Sequence, residues 1–176
     1  MCVESVTDPQ FETKFELPYA NLDFPFYVVA GGHDFGANFV DFWRVDAQIE
    51  YTDHSSKWRM FDHFYTFGEQ HVDFFALDTN IIMLGLPWWQ TPEAWMTAAL
   101  ADSQATWRIA FGHHPYLSNG RHGNAGNYEG LLFVPVANGD GVETFMEDHV
   151  CGNIDLYLCG HDHNRQWLDP TCGTEF

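Results

Sequence analysis

Three segments of this chain run from an apolar stretch through glycine into histidine. Tyr27-Val28-Val29-Ala30 leads into Gly31-Gly32-His33-Asp34. Arg108-Ile109-Ala110-Phe111 leads into Gly112-His113-His114-Pro115, and Leu156-Tyr157-Leu158-Cys159 leads into Gly160-His161-Asp162-His163. Ligands in α/β sheets bind beyond the carboxyl ends of the strands, so repeated strand-Gly-His junctions point to one shared site. Imidazole is a frequent ligand of zinc and suits iron as well. Glycine ahead of each histidine lets the backbone turn sharply and approach a ligand. The G-H-D-H segment is the most specific element, because imidazoles at i and i+2 in a tight loop can face two adjacent metal ions. A lone histidine is more often a surface or core residue, so His54, His63, His71 and His149 receive no role, and His114 reads as a supporting residue.

Strands must carry these junctions, and the sequence supplies them. Phe24 to Ala30 reads as a buried strand, Phe64 to Phe67 and Val72 to Leu77 as two strands joined by a turn, and Trp107 to Phe111 and Ile154 to Cys159 as two more. Helices are expected from Asp8 to Tyr19, Val45 to Trp58, Thr91 to Gln104 and Gly141 to His149. Asp8-Pro9 and Thr91-Pro92 are cap and first-turn pairs. Gly120 to Gly130 is a glycine-rich loop, and Thr174-Glu175-Phe176 begins another strand. Alternating strands and helices make the chain α/β.

Charge narrows the function. Against 7 Lys+Arg stand 25 Asp+Glu, a formal charge of -18. Such a surface disfavours nucleic acid and anionic membranes, which are bound through Lys and Arg. A phosphorylated substrate would need local positive charge, which bound metal supplies. The 10 histidines are the main candidate ligands. The 4 cysteines include no C-x-x-C pair, which argues against a zinc ribbon or thioredoxin-type site. Cys151 and Cys172 flank a strand-like segment and are equally compatible with a disulfide or with free thiols; Cys159, in an apolar run, reads as a buried thiol. No basic and apolar leader follows Met1. Either the protein is cytoplasmic or its natural chain starts earlier.

The motifs GGHD, GHHP and GHDH resemble the last three motifs of the calcineurin-like metallophosphoesterases, G-N-H-[DE], G-H-x-P and G-H-x-H. Leu77-Asp78-Thr79, GHHPYLSNGRHG and YLCGHDHNRQWL resemble the tartrate-resistant, or purple, acid phosphatase branch, bacterial members in particular. The resemblance runs from about Asp8 to Phe176. It implies a four-layer α/β/β/α sandwich, a single domain over residues 1–176, and hydrolysis of phosphate monoesters at a dinuclear centre of iron with zinc, manganese or a second iron. By resemblance, His113 and His161 are ligands of the divalent metal and His163 of the ferric iron. His33 and His122 hold the phosphate and assist the leaving group, and Asp34 orients the neighbouring histidine. A small phosphorylated substrate, a monomer and a secreted or periplasmic full-length protein complete the expectation.

Two departures stand out. The family's asparagine ligand is Gly32 here, which has no side-chain oxygen to offer. The family's opening G-D-x-G and G-D-N-x-Y loops, which supply two aspartates and a tyrosine, do not occur in the sequence, and the chain reads as cut at both ends with first and last strands missing. A degenerate fragment holding at most one metal is therefore the main rival, and a histidine-rich metal-storage module a weaker one.

Overall fold

Val72–Leu77 (VDFFAL) is apolar at nearly every position, as a strand covered on both faces must be, and in the computed structural model it is an inner strand of a mixed sheet. The structure describes residues 1–36, 41–85, 90–130 and 135–176. It divides into two units, Met1–His63 and Phe64–Phe176.

The second unit holds a four-stranded sheet. Its strands are β3 (Phe64–Glu69), β4 (Val72–Leu77), β5 (Trp107–Gly112) and β6 (Leu156–Cys159), in that spatial order. β3 and β4 form the expected hairpin, turning at Gln70, which takes a positive φ of 58°. β4, β5 and β6 run parallel, with Leu77 opposite Gly112 and Gly112 opposite Cys159. This register aligns the carboxyl ends of three strands along one edge. Asp78-Thr79, His113-His114 and Gly160-His161 therefore leave the sheet side by side.

Helices complete this unit. α3 (Thr79–Leu84) was not expected, since a helix this short shows no usable periodicity. Asp78 caps it, its carboxylate accepting from the N–H groups of Asn80 (3.0 Å) and Ile81 (3.4 Å). α4 (Pro92–Asp102) starts as expected, with Thr91 Oγ1 accepting from Ala94 N–H. α5 (Pro135–Asn138) precedes α6 (Asp140–Phe145), which runs on through a wider turn to Val150. Phe75, Leu77, Ile81, Phe145, Met146 and Tyr157 are buried core residues of this unit. Glu175 bridges Leu156 in parallel, so the last residues do begin to extend the sheet at β6.

Cys151 and Cys172 form a disulfide that closes a loop around β6 and the G-H-D-H turn. Replacing both by serine is expected to lower stability by roughly 3 kcal/mol, mainly by freeing the unfolded chain. Denaturant melts of the two proteins measure the difference. Cys159, expected to be buried, is a free cysteine exposed on β6. Its neighbour Leu158 is exposed as well, so the apolar run does not stay covered to the end of the strand.

The first unit contains α1 (Pro9–Phe11), continued as a helical turn over Glu12–Glu16, and α2 (Phe42–Glu50). Asp8 caps α1 by accepting from Gln10 N–H at 2.8 Å. Phe11 stacks on Tyr51 with ring centres 3.7 Å apart, and Phe15 meets Trp58 edge-on. The expected buried strand from Phe24 to Ala30 is reduced to β1 (Phe26–Tyr27), half-buried and parallel to β2 (Trp58–Arg59). Pro25, with no N–H, cannot take part in a ladder ahead of it. The expected helix from Val45 to Trp58 instead begins at Phe42, because Val45, Ala47 and Gln48 supply its buried face, and it gives way before Trp58 joins the strand pair.

Candidate metal centre

The β5 junction is fixed by its neighbours. Gly112 has no room for a side chain: an added Cβ would sit 2.7 Å from both Thr79 Cγ2 and Tyr157 Oη. That close approach lets Thr79, the first residue of α3, hold His114. Thr79 Oγ1 accepts from His114 N–H at 3.0 Å and lies 2.8 Å from its Nδ1. Tyr157 donates to the His114 carbonyl at 2.8 Å. His114 is buried, and its imidazole is pinned from the sheet side. An Nδ1–H donated to Thr79 leaves the Nε2 lone pair available.

The β6 junction works differently. A Cβ on Gly160 would meet His113 Nδ1 at 3.8 Å and the His113 carbonyl oxygen at 3.9 Å, both ordinary contacts, so the expected steric need for glycine is absent here. The sharp turn falls instead on His161, with φ of 65°. A non-glycine residue in the left-handed region carries local strain, and such residues gather at functional sites. The turn sets His161 Nδ1 3.1 Å from His113 Nε2. Two imidazole nitrogens on one tetrahedral zinc ion lie about 3.3 Å apart, so this pair already has nearly the spacing that an ion imposes. His113, His114 and His161 each offer a ligand atom, all within 4.8 Å of one another.

Asp162 organises the glycine-rich loop. Its carboxylate accepts from His122 N–H at 3.0 Å and from the Ser118 hydroxyl. The loop passes so close that a Cβ on Gly120 would fall 2.2 Å from Asp162 Cγ. His122 thereby reaches His161, ring centres 4.2 Å apart, and its Nδ1 meets Glu129 Oε1. His122, Glu129 and His161 make a second group whose ligand atoms lie within 4.8 Å of one another.

Burial, and then the neighbouring imidazoles, favour the neutral form of His114 and His161. Burial first, then the neighbouring His113, His161 and His122, hold the His114 pKa well below the usual histidine value of 6.5. Burial, followed by His122, also lowers that of His161. Burial pushes the Asp162 carboxyl up, but hydrogen bonds from Ser118 and His122 N–H outweigh it and leave the pKa below the ordinary 3.8. Neutral imidazole is the metal-binding form.

A pH dependence of stability follows from His114. The unfolded chain protonates this group near 6.5 while the folded chain does not. Its stabilising effect is full above that value and is lost as pH falls below it, with a slope of at most about 1.4 kcal/mol per pH unit for one proton. Melting temperatures from pH 8 to 5 are expected to fall less steeply in His114→Gln.

Of the residues expected at the site, the structure brings together His113, His161 and His122. His163 is exposed and belongs to neither group among the described residues. His33 and Asp34 lie in the first unit, in the short helix Gly32–Phe35. There the buried Asp34 carboxylate accepts from Gly31 N–H (2.8 Å) and from Gln48 Nε2 (3.1 Å), fixing the loop that carries the exposed His33. Glu129 went unnoticed in the sequence, and so did the contacts that Thr79 makes to His114 and Asp162 makes to the glycine-rich loop, because they depend on tertiary geometry. The donors present fit at least one borderline divalent ion, with nitrogen from histidine and oxygen from Glu129.

The family model described as calcineurin-like phosphoesterase matches residues 5–165. The tartrate-resistant acid phosphatase type 5 of Oryctolagus cuniculus is 28% identical over 198 residues, 99% of this chain and 55% of that protein. Purple acid phosphatase 7 of Arabidopsis thaliana is 27% identical over 197 residues, 99% of this chain and 54% of that protein. The chain thus spans about half the length of these relatives. A solved Plasmodium structure, described as GAP50, the anchor in the inner membrane complex, has the same fold, with a TM-score of 0.67 at 21% identity over 98% of this chain and 55% of its own.

Proposed function

This chain belongs to the calcineurin-like phosphoesterase family and has the metallophosphoesterase fold, and from that premise we propose that it carries half of a metal-dependent phosphate-ester hydrolase of the purple acid phosphatase type. The observation that carries this reading is the convergence of His113 and His161 at the aligned ends of β5 and β6. Those two histidines would hold the divalent ion, and His163 would contribute to a second, iron-bearing position once further ligands are in place. When bound, such a metal pair acidifies a water and offsets the charge of the phosphoryl group.

The chain's own groups do the rest. Glu129 on Nδ1 fixes the His122 ring and leaves Nε2 to meet the substrate. His122 donates a proton to the leaving alkoxide as the P–O bond breaks, giving an alcohol and inorganic phosphate. Asp162 keeps His122 in place through its backbone N–H. Within the first unit, Asp34 sets the loop that carries His33. An oxidising compartment, secreted or periplasmic, suits the Cys151–Cys172 pair.

The sequence contains no G-D-x-G or G-D-N-x-Y loop, so turnover by this chain alone is expected to be slow. The test is p-nitrophenyl phosphate hydrolysis by the metal-free chain, then with zinc and iron added. Metal-dependent release of nitrophenol, abolished by chelator, supports the reading. Hydrolysis that ignores the chelator refutes it.

A further inference from the structure

We propose that His122, Glu129 and His161 bind one divalent transition-metal ion, as an alternative to the His113–His114–His161 group with which they share an imidazole. Each offers one ligand atom, and the three lie within 4.8 Å of one another. Two imidazoles and one carboxylate make a donor set suited to zinc and ferrous iron, leaving positions open to water. The backbone is held for it. His122 N–H is bound by Asp162 at 3.0 Å, and Glu129 N–H donates to the His122 carbonyl at 2.9 Å. Glu129 takes a positive φ of 54°, and its carboxylate lies against the His122 ring.

Entry of an ion asks little of the fold. His122 Nδ1 and Glu129 Oε1 are now in direct contact, and an ion between them would spread them to about 3.3 Å. The Glu129 side chain is 45% exposed and free to make that move. The net charge of -18 draws cations towards the chain. Occupancy here would take His161 from the first group and His122 from the leaving group, so excess metal would suppress turnover. This site is independent of whether the chain hydrolyses anything.

Cobalt(II), whose visible spectrum reports its ligands, is titrated into the metal-free wild-type chain, Glu129→Gln and His122→Gln. Glutamine at 129 keeps the shape and one acceptor but removes the charge. Both variants are expected to bind cobalt at least tenfold more weakly and with an altered spectrum. Wild-type affinity and spectrum in either variant would overturn the proposal, as would absence of cobalt binding by the wild type at millimolar concentration. Turnover plays no part in the measurement, so a chain without phosphatase activity would still decide it.

Discussion

His161→Gly is expected to weaken zinc binding at least ~100-fold while leaving the metal-free chain within about 1 kcal/mol of wild-type stability. His161 belongs to both ligand groups, so either mode of metal binding loses a nitrogen. The backbone at this position has φ of 65°, where glycine is at ease and other residues are strained. Glycine therefore relieves local strain, which offsets its larger unfolded-state entropy. A residue kept for packing alone would show the opposite pattern, with a loss of stability and no change in zinc affinity. Calorimetric titration with zinc and thermal melts of the metal-free proteins separate the two.

His122→Ala is expected to slow hydrolysis of alkyl phosphates by about 10²–10⁴-fold, and of nitrophenyl phosphate far less. The difference arises because nitrophenolate leaves readily without a proton, whereas an alkoxide does not. The measurement needs a form that turns over well, such as this chain extended with G-D-x-G and G-D-N-x-Y segments. Equal losses on both substrates would make His122 a phosphate-positioning residue. The His122 ring stands 4.2 Å from that of His161, close enough to serve a phosphate held there.

Two of the strand-Gly-His junctions, at His113 and His161, were legible because each combines a local pattern with a chemical residue type. Parallel pairing then did what the pattern implied at β5 and β6, aligning Gly112 with Cys159 so that His113 and His161 meet. The role of glycine was only half legible. Gly112 is needed for close packing on Thr79 and Tyr157, but at the other junction the turn is made by His161 itself. Glu129 stood in the chain as an ordinary acidic loop residue. Only the fold of the loop, clamped by Asp162, brings it to His122. Phe24 to Ala30 misled because a run of apolar residues signals burial, not strand length. Phe24 is in fact 52% exposed, stacked on Phe26 at the surface.

The resemblance and the geometry meet at the histidines of the β5 and β6 junctions, and side-chain nitrogen spectra can watch them one at a time. In a chain labelled with ¹⁵N-histidine, zinc is added stepwise past one equivalent. The ring nitrogens of His161 are predicted to shift in proportion to zinc and to stop at one equivalent, accompanied by those of His113 or of His122. The exposed His54 and His71 should remain where they were. Shifts confined to those exposed residues, with the His161 resonances unmoved, would contradict the metal centre.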